Sequence, residues 1–223
     1  VARRRALVAR VAARVAAPAA QPLPASSHAP SIGTWLRHDG RVATTLRVLT
    51  WNVLGLRRPA RAAGVVRRAD ADVVCLQETP RWPGGRAALA LFAAATGLRL
   101  VAGGGPRGVA VLVRPGVEVV GRTVEAMPRR FSGVWFTYPR ATATARLLLH
   151  GRPVSVSSVH LDVWEPGRLA HVDRILRGMD DDASAVAHVV AGDLNEGPDG
   201  AARRRLTARL TNAAHDGGPT YPA

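Results

Sequence analysis

The sequence predicts a mixed-sheet α/β domain, and three observations predict it. Short apolar runs rich in Val and Leu alternate with stretches of helical composition, which is the pattern of layered α/β folds. In the middle of the chain several such runs follow one another with only Gly- and Pro-containing turns between them, which adds antiparallel strands. A length of 223 residues with 47% hydrophobic content is enough for one sizeable core.

The elements follow in order. Leu46 to Trp51 reads as a strand, residues 57–69 as a helix, and Asp72 to Leu76 as a short buried strand. Residues 86–96 read as a helix that stops at Gly97. Leu98 to Ala102, Val109 to Arg114 and Val117 to Gly121 read as strands, joined through Gly103-Gly104-Gly105-Pro106 and Pro115-Gly116. Val134 to Thr137, Ala145 to Leu149 and Val154 to Leu161 continue the strand series, with a hairpin link at Gly151-Arg152-Pro153. A helix over 167–178, a strand from Ala187 to Ala191 and a helix over 199–210 complete the pattern.

Residues 1–44 differ in character and read as an Ala-, Arg- and Pro-rich tail or linker ahead of a domain spanning 45–223. Leu7, Val11 and Val15 recur at a helical spacing of four. Arg10 and Arg14 interrupt the apolar core that a secretory signal needs, which favours a cytoplasmic location over secretion. No run approaches the roughly 20 apolar residues of a membrane span. The single cysteine, Cys75, lies in the apolar run Val73 to Leu76 and reads as a buried structural thiol.

The formal charge is +15, which suits a polyanionic partner such as nucleic acid or anionic lipid. All 31 basic residues are arginine, however, and Ala and Gly are abundant, so a coding bias accounts for the same charge. Arg81, Arg130 and Arg140 are candidates for phosphate contact, and Trp82, Trp135 and Trp164 lie near strand ends, where half-buried packing is the expected role.

Four apolar strand runs end in side chains suited to metal or phosphate chemistry: Asn52, Glu78, His160, and Asp193 with Asn195. In layered α/β folds, ligands gather at strand ends. Carboxylate and carboxamide oxygens suit Mg²⁺ or Mn²⁺ better than Zn²⁺. On this reading Glu78 is the main metal ligand with Asn52 beside it. His160 serves as a proton donor to a phosphate oxygen or leaving group, and Asp193 orients or deprotonates water. Asn195 donates to the phosphate. Singly, each residue has a plainer role: a turn cap for Asn52, a solvated strand end for Glu78, a satisfied core histidine for His160, a turn for Asp193 and Asn195. Their combination points to one site.

Leu49-Thr50-Trp51-Asn52-Val53, Asp72 to Glu78, Val159-His160-Leu161 and Gly192-Asp193-Leu194-Asn195 resemble successive motifs of the metal-dependent exonuclease–endonuclease–phosphatase superfamily. Gly108 to Val113 is similar to its entry to a middle strand, and Thr220-Tyr221-Pro222 to the segment before its last strands. The resemblance implies a four-layer αββα sandwich of two mixed sheets. It also implies hydrolysis of a phosphodiester or phosphomonoester by in-line attack of water, with Mg²⁺ or Mn²⁺ as cofactor. Asn52 and Glu78 then fall on the metal site, and His160, Asp193 and Asn195 on the catalytic positions. The family closes with a Ser-Asp-His motif. Here the chain stops at Ala223 before that region, while His215 and Asp216 lie too early and in reversed order. The expectation is therefore a domain without its last strands. The substrate is a phosphoester of nucleic acid, of a phospholipid head group or of a small molecule, and a monomer with no obligate protein partner is expected. The alternative is a catalytically silent relative that binds nucleic acid or anionic lipid.

Overall fold

The computed structural model describes residues 7–12, 45–129 and 139–213. The first sheet holds β1 (Leu7–Ala12), β2 (Thr45–Asn52), β3 (Val73–Gln77), β4 (Arg99–Gly103) and β5 (Val109–Val113), in the order β1-β2-β3-β5-β4. The second holds β6 (Glu118–Ala126), β7 (Ala141–Leu149), β8 (Arg152–His160) and β9 (Ala187–Asp193), in that order. Both sheets are mixed. β2 and β3 run parallel, as do β8 and β9, and the other pairs are antiparallel. Each parallel pair needs a crossover helix. These are α1 (Pro59–Ala69) and α3 (Glu165–Asp181), while α2 (Gly85–Ala95) and α4 (Ala201–Thr207) follow β3 and β9.

The period of two along each strand decides the layers. Leu46 and Val48 of β2, Val73 and Cys75 of β3, and Val109, Val111 and Val113 of β5 face the second sheet. They meet Ala141, Ala143, Ala145 and Leu147 of β7, Val154 and Val156 of β8, and Val189 of β9. The intervening residues Leu49, Val74, Leu76, Ala110 and Leu112 face outward onto α1 and α2. On the far side, Val159 and Leu161 pack against Val172 and Ile175 of α3 and Ala202 and Leu206 of α4. The result is the expected αββα sandwich, with three apolar interfaces between four layers.

Several boundaries moved for physical reasons. β7 begins at Ala141, four residues before the expected strand, because its first turn of sequence, Ala-Thr-Ala-Thr, lacks large apolar residues. Its alanines are fully buried between the sheets and its threonines lie on the outer face. β6 extends to Ala126 as the partner of this longer strand. The helical spacing noted near the N-terminus is overturned: Leu7–Ala12 is a strand, paired antiparallel with Thr45 to Thr50. Pairing there satisfies backbone groups that β2 would otherwise present as an open edge. The strand expected at 134–137, Arg130, Trp135, His215, Asp216 and the segment Thr220-Tyr221-Pro222 lie outside the described residues, as does the rest of the 1–44 tail.

The expected stop at Gly97 holds, with φ of 76° just past α2. The β7–β8 hairpin turns through His150 and Gly151 at φ of 49° and 75°, the left-handed pair of a two-residue hairpin loop. Cys75 is fully buried in the inter-sheet core, and burial pushes its thiol pKa up to about 12, so it is no nucleophile. No helix among the described residues is long and apolar enough to cross a membrane.

Candidate active site

Reading the inter-sheet face from one end to the other gives three strata. Val48, Cys75, Val156 and Val189 form an apolar floor. Two residues further along the same strands come Thr50, Gln77, Ser158 and Ala191. Two further still come Asn52, His160 and Asp193, at the C-terminal ends of β2, β8 and β9. The strand period therefore aims three of the candidate residues into the seam between the sheets.

Glu78 reaches the same place by a different device. Gln77 faces the seam, so a continuing strand would direct Glu78 toward the helices. Instead Glu78 adopts the left-handed region at φ of 50°, and its carbonyl accepts a bond from Gly55 N at 2.6 Å. Such a conformation is uncommon for a residue with a Cβ and is held by its surroundings. The turn breaks the alternation, and the carboxylate meets Asn52.

Asn52 is the hinge of the cluster. Its Nδ2 donates to Glu78 Oε1 at 2.8 Å and to Asp193 Oδ2 at 2.9 Å. Its Oδ1 accepts from Leu54 N at 3.2 Å. One amide therefore joins a carboxylate of the first sheet to a carboxylate of the second. His160 is 3% exposed, and its Nε2 lies 3.9 Å from Asp193 Oδ2, an ion-pair distance and too long for a hydrogen bond. Asp193 Oδ1 accepts from Asn195 N at 3.0 Å, and Asn195 Nδ2 donates to Leu161 O at 2.8 Å. Asn195, at φ of 52°, thus ties the loop after β9 to the end of β8. All five candidate residues come together, through these contacts, at one end of the sandwich. Gly192 is needed there because a Cβ would meet Val159 O at 1.9 Å, a backbone atom of the neighbouring strand.

The family model for the Endonuclease/Exonuclease/phosphatase family matches residues 49–223. The chain belongs to the endonuclease/exonuclease/phosphatase family. This family takes its name from hydrolysis of phosphoesters, so the seam cluster sits in a phosphoester hydrolase of that kind. No curated protein matches the sequence significantly. Among solved structures, an endonuclease/exonuclease/phosphatase from Bacteroides vulgatus is similar at 16% identity and a TM-score of 0.60, over 74% of this chain and 71% of that one. The human Nocturnin catalytic domain, solved with a bound sulfate anion, is similar at 17% identity and a TM-score of 0.56, over 74% and 70%. D. rerio TDP2, complexed with a single-strand DNA product, is similar at 17% identity and a TM-score of 0.54, over 72% and 63%. At these identities the likeness to each structure is one of fold.

Three features of this family member's site escaped the sequence reading. First, the stratum beneath the cluster is a buried polar bridge. Gln77 Nε2 donates to Ser158 Oγ at 3.1 Å, with Thr50 Oγ1 and Cys75 O each at 3.2 Å, and Ser158 Oγ donates to Leu76 O at 3.0 Å. Gln77 and Ser158 are 1% and 0% exposed. The signal was available: polar side chains at inward-facing positions of otherwise apolar strands. Second, Glu196, beside Asn195, has a nearly buried side chain that pairs with Arg168 of α3 at 3.3 Å and accepts the backbone N–H groups of Ala202 and Arg203. It fixes the β9–α4 loop to the start of both outer helices. Third, Leu54, Trp82, Val163 and Trp164 are exposed on the loops that carry Asn52, Glu78 and His160. Trp82, at 56% exposure, is not the half-buried packing residue expected for it.

The donor set fits a hard divalent cation. Two carboxylates share one amide in a polar stratum, and magnesium is commonly held by one or two carboxylates with water and substrate oxygens completing its shell. Among the described residues no group of three or more His, Cys, Asp and Glu side chains is placed to hold a metal ion by itself.

Proposed function

We propose that the protein is a Mg²⁺- or Mn²⁺-dependent phosphoester hydrolase in which water attacks a phosphate held in the seam between the sheets. The observation that carries this reading is the Asn52 amide joining Glu78 to Asp193, with His160 buried alongside. Glu78 would hold the cation, with Asn52 fixing its carboxylate through Nδ2. A bound divalent cation supplies polarisation of a phosphoryl oxygen and neutralises charge that develops there.

The remaining chemistry falls to the chain's own residues. Asp193, oriented by Asn52 and by Asn195 N, takes the proton of the attacking water as the new P–O bond forms. His160, shielded from solvent, supplies a proton to a phosphate oxygen or to the departing alcohol as the ester bond breaks. Asn195 fixes the Asp193 loop, its Nδ2 donating to Leu161 O at 2.8 Å, and the second hydrogen of that amide would serve the phosphate. The TDP2 complex with single-strand DNA and the +15 charge support nucleic acid as one substrate class.

The test is hydrolysis of a generic diester, a monoester and plasmid DNA, with Mg²⁺, with Mn²⁺ and with chelator, beside Asp193→Ala. The expected result is metal-dependent turnover that falls about 10²–10⁴-fold in the variant. Turnover that survives both chelator and the substitution refutes the proposal. Salt-sensitive binding of nucleic acid with no turnover under any condition supports a silent relative instead.

A further inference from the structure

The two outer helical layers of the sandwich differ in charge. α3 mixes Glu165, Asp173, Asp180 and Asp181 with its arginines, and charges pair across that layer: Asp173 with Arg205 at 2.9 Å, Asp180 with Arg209 at 2.5 Å, and Arg174 with Glu125 at 2.7 Å. α1 and α2, on the other side, contain no Asp or Glu. Their charged residues are Arg61, Arg67, Arg68 and Arg86, and Arg57 and Arg58 lead into α1. All six are exposed, and among the described residues none has a carboxylate partner. Asp70, just past α1, is already held by Arg47 and Arg114. A coding bias raises arginine in both layers alike; it does not strip carboxylates from one of them.

Between these arginines the same surface is apolar. α2 buries Leu89, Phe92 and Ala93 against the sheet, yet its outer face carries Ala87, Ala90, Leu91, Ala94 and Ala95, with Leu91 73% exposed. The two helices lie side by side, Arg67 Nη1 donating to Ala95 O at 3.0 Å, so the basic and apolar faces adjoin. Both helices start at the strand ends where the seam cluster lies, and the loops leading into them expose Leu54 and Trp82.

We propose that the outer face of α1 and α2 docks on an anionic lipid bilayer surface. Arginine lays its methylene stem along apolar surface while its guanidinium meets head-group phosphate. Leu91 and the alanines enter the boundary between head groups and acyl chains, as the apolar face of an interfacial helix does, and Trp82 suits the same depth. A polynucleotide matches the charge but offers Leu91 and the alanines nothing to bury against. A second copy docked through the same face would set arginine against arginine.

Flotation of the full chain with vesicles tests this. Vesicles of phosphatidylcholine alone are compared with vesicles that also contain phosphatidylserine, across a salt series, with polyglutamate and a single-stranded oligonucleotide as competitors. Arg61→Gln with Arg68→Gln is set against Arg177→Gln with Arg204→Gln, which removes the same charge from exposed positions of the opposite layer. Leu91→Asn removes apolar surface at constant charge. Thermal unfolding confirms that all three fold. Wild type is expected to bind the phosphatidylserine vesicles, to leave the neutral ones, and to be released as salt rises. The α1 pair should weaken binding about 10- to 30-fold, against less than about 3-fold for the control pair. Leu91→Asn should weaken it about 3-fold or more. A polarity-sensitive fluorophore on Leu91→Cys, with Cys75 buried and unreactive, should shift to the blue on the phosphatidylserine vesicles. Absence of binding to those vesicles, or equal losses in the two arginine pairs, overturns the proposal. Binding that Leu91→Asn leaves unchanged also overturns it, and displacement by polyglutamate or by the oligonucleotide then names an acidic protein or a nucleic acid as the partner. Binding is read without metal and without turnover, so the outcome is independent of the hydrolase reading.

Discussion

Ser158→Ala probes how the two sheets are held in register beneath the site. Ser158 Oγ donates to Leu76 O at 3.0 Å and accepts from Gln77 Nε2 at 3.1 Å, so the substitution deletes two buried hydrogen bonds between the sheets. Each contributes about 1 kcal/mol net. Gln77 is not orphaned, because Thr50 Oγ1 and Cys75 O remain at 3.2 Å, so the full desolvation penalty does not apply. The expected cost is about 2 kcal/mol, or a fall in Tm of about 4–8 °C for a chain of this size. Gln77→Leu keeps most of the volume and removes the bonds from Nε2 to Ser158 Oγ, Thr50 Oγ1 and Cys75 O, at about 3 kcal/mol. The shared bond is then lost once rather than twice, so the double variant should be less destabilised than the sum by about 1 kcal/mol. Urea unfolding with matched m values measures all three. Additivity within about 0.3 kcal/mol would refute the bridge as a coupled unit, and a Ser158→Ala cost below about 0.5 kcal/mol would show that it bears no load at all.

Three further outcomes follow from the same structure. Saturating Mg²⁺, at about 100 times its dissociation constant, should raise stability by about 2.7 kcal/mol, and Glu78→Gln should abolish that rise in a thermal-shift titration without any substrate present. Burial, chiefly, holds the His171 and His188 pKa values below their ordinary 6.5, with Arg140 beside the first and Arg146 and Arg209 beside the second acting the same way. The unfolded chain therefore takes up protons first as pH falls through about 6.5, so stability is full above that value and declines below it. The urea midpoint should drop between pH 7.5 and 5.5, and drop less in His171→Gln with His188→Gln; Asp70 and Asp180, held below 3.8 by arginine partners, act outside this window. Glu196→Ala strips Arg168 of a nearly buried partner and should cost about 3–5 kcal/mol by urea unfolding, whereas a cost under 1 kcal/mol would show that solvent replaces the pair.

Much of this architecture was legible because residue type and period carry it. Leu49-Thr50-Trp51-Asn52 and Val159-His160 each announce a strand that stops on a polar side chain, and the five candidate residues do converge. The N-terminal strand was misread for a reason of arithmetic. A spacing of four, as in Leu7 and Val11, satisfies both a helix and the period of two of a strand, and only the unpaired edge of β2 decides between them. The bridge of Thr50, Gln77 and Ser158 was hidden because its partners are 27 to 108 residues apart and each looks, alone, like a tolerated polar residue in a strand. The residue type of Asn52 pointed to its oxygen as a metal ligand, and the structure adds what the sequence could not show, that its amide N–H groups join two carboxylates.

The placement of the cluster at a seam has a mechanical consequence. Asn52 and Glu78 belong to the first sheet, while His160, Asp193 and Asn195 belong to the second, so neither sheet alone holds a complete set. The distance between the two carboxylates is then a property of how the sheets pack, and a displacement of about 1 Å at a reacting group can cost on the order of 100-fold in rate. Two features restrict that displacement. The fully buried alanines of β7 and the valines of β5 and β8 are short side chains that leave little room for sliding in a close-packed interface. The Gln77–Ser158 bond then adds direction, because it joins the residue before Glu78 to the residue two before His160. A substitution in this stratum should therefore lower turnover beyond what its loss of stability explains, even though no atom of Gln77 or Ser158 belongs to the site cluster itself.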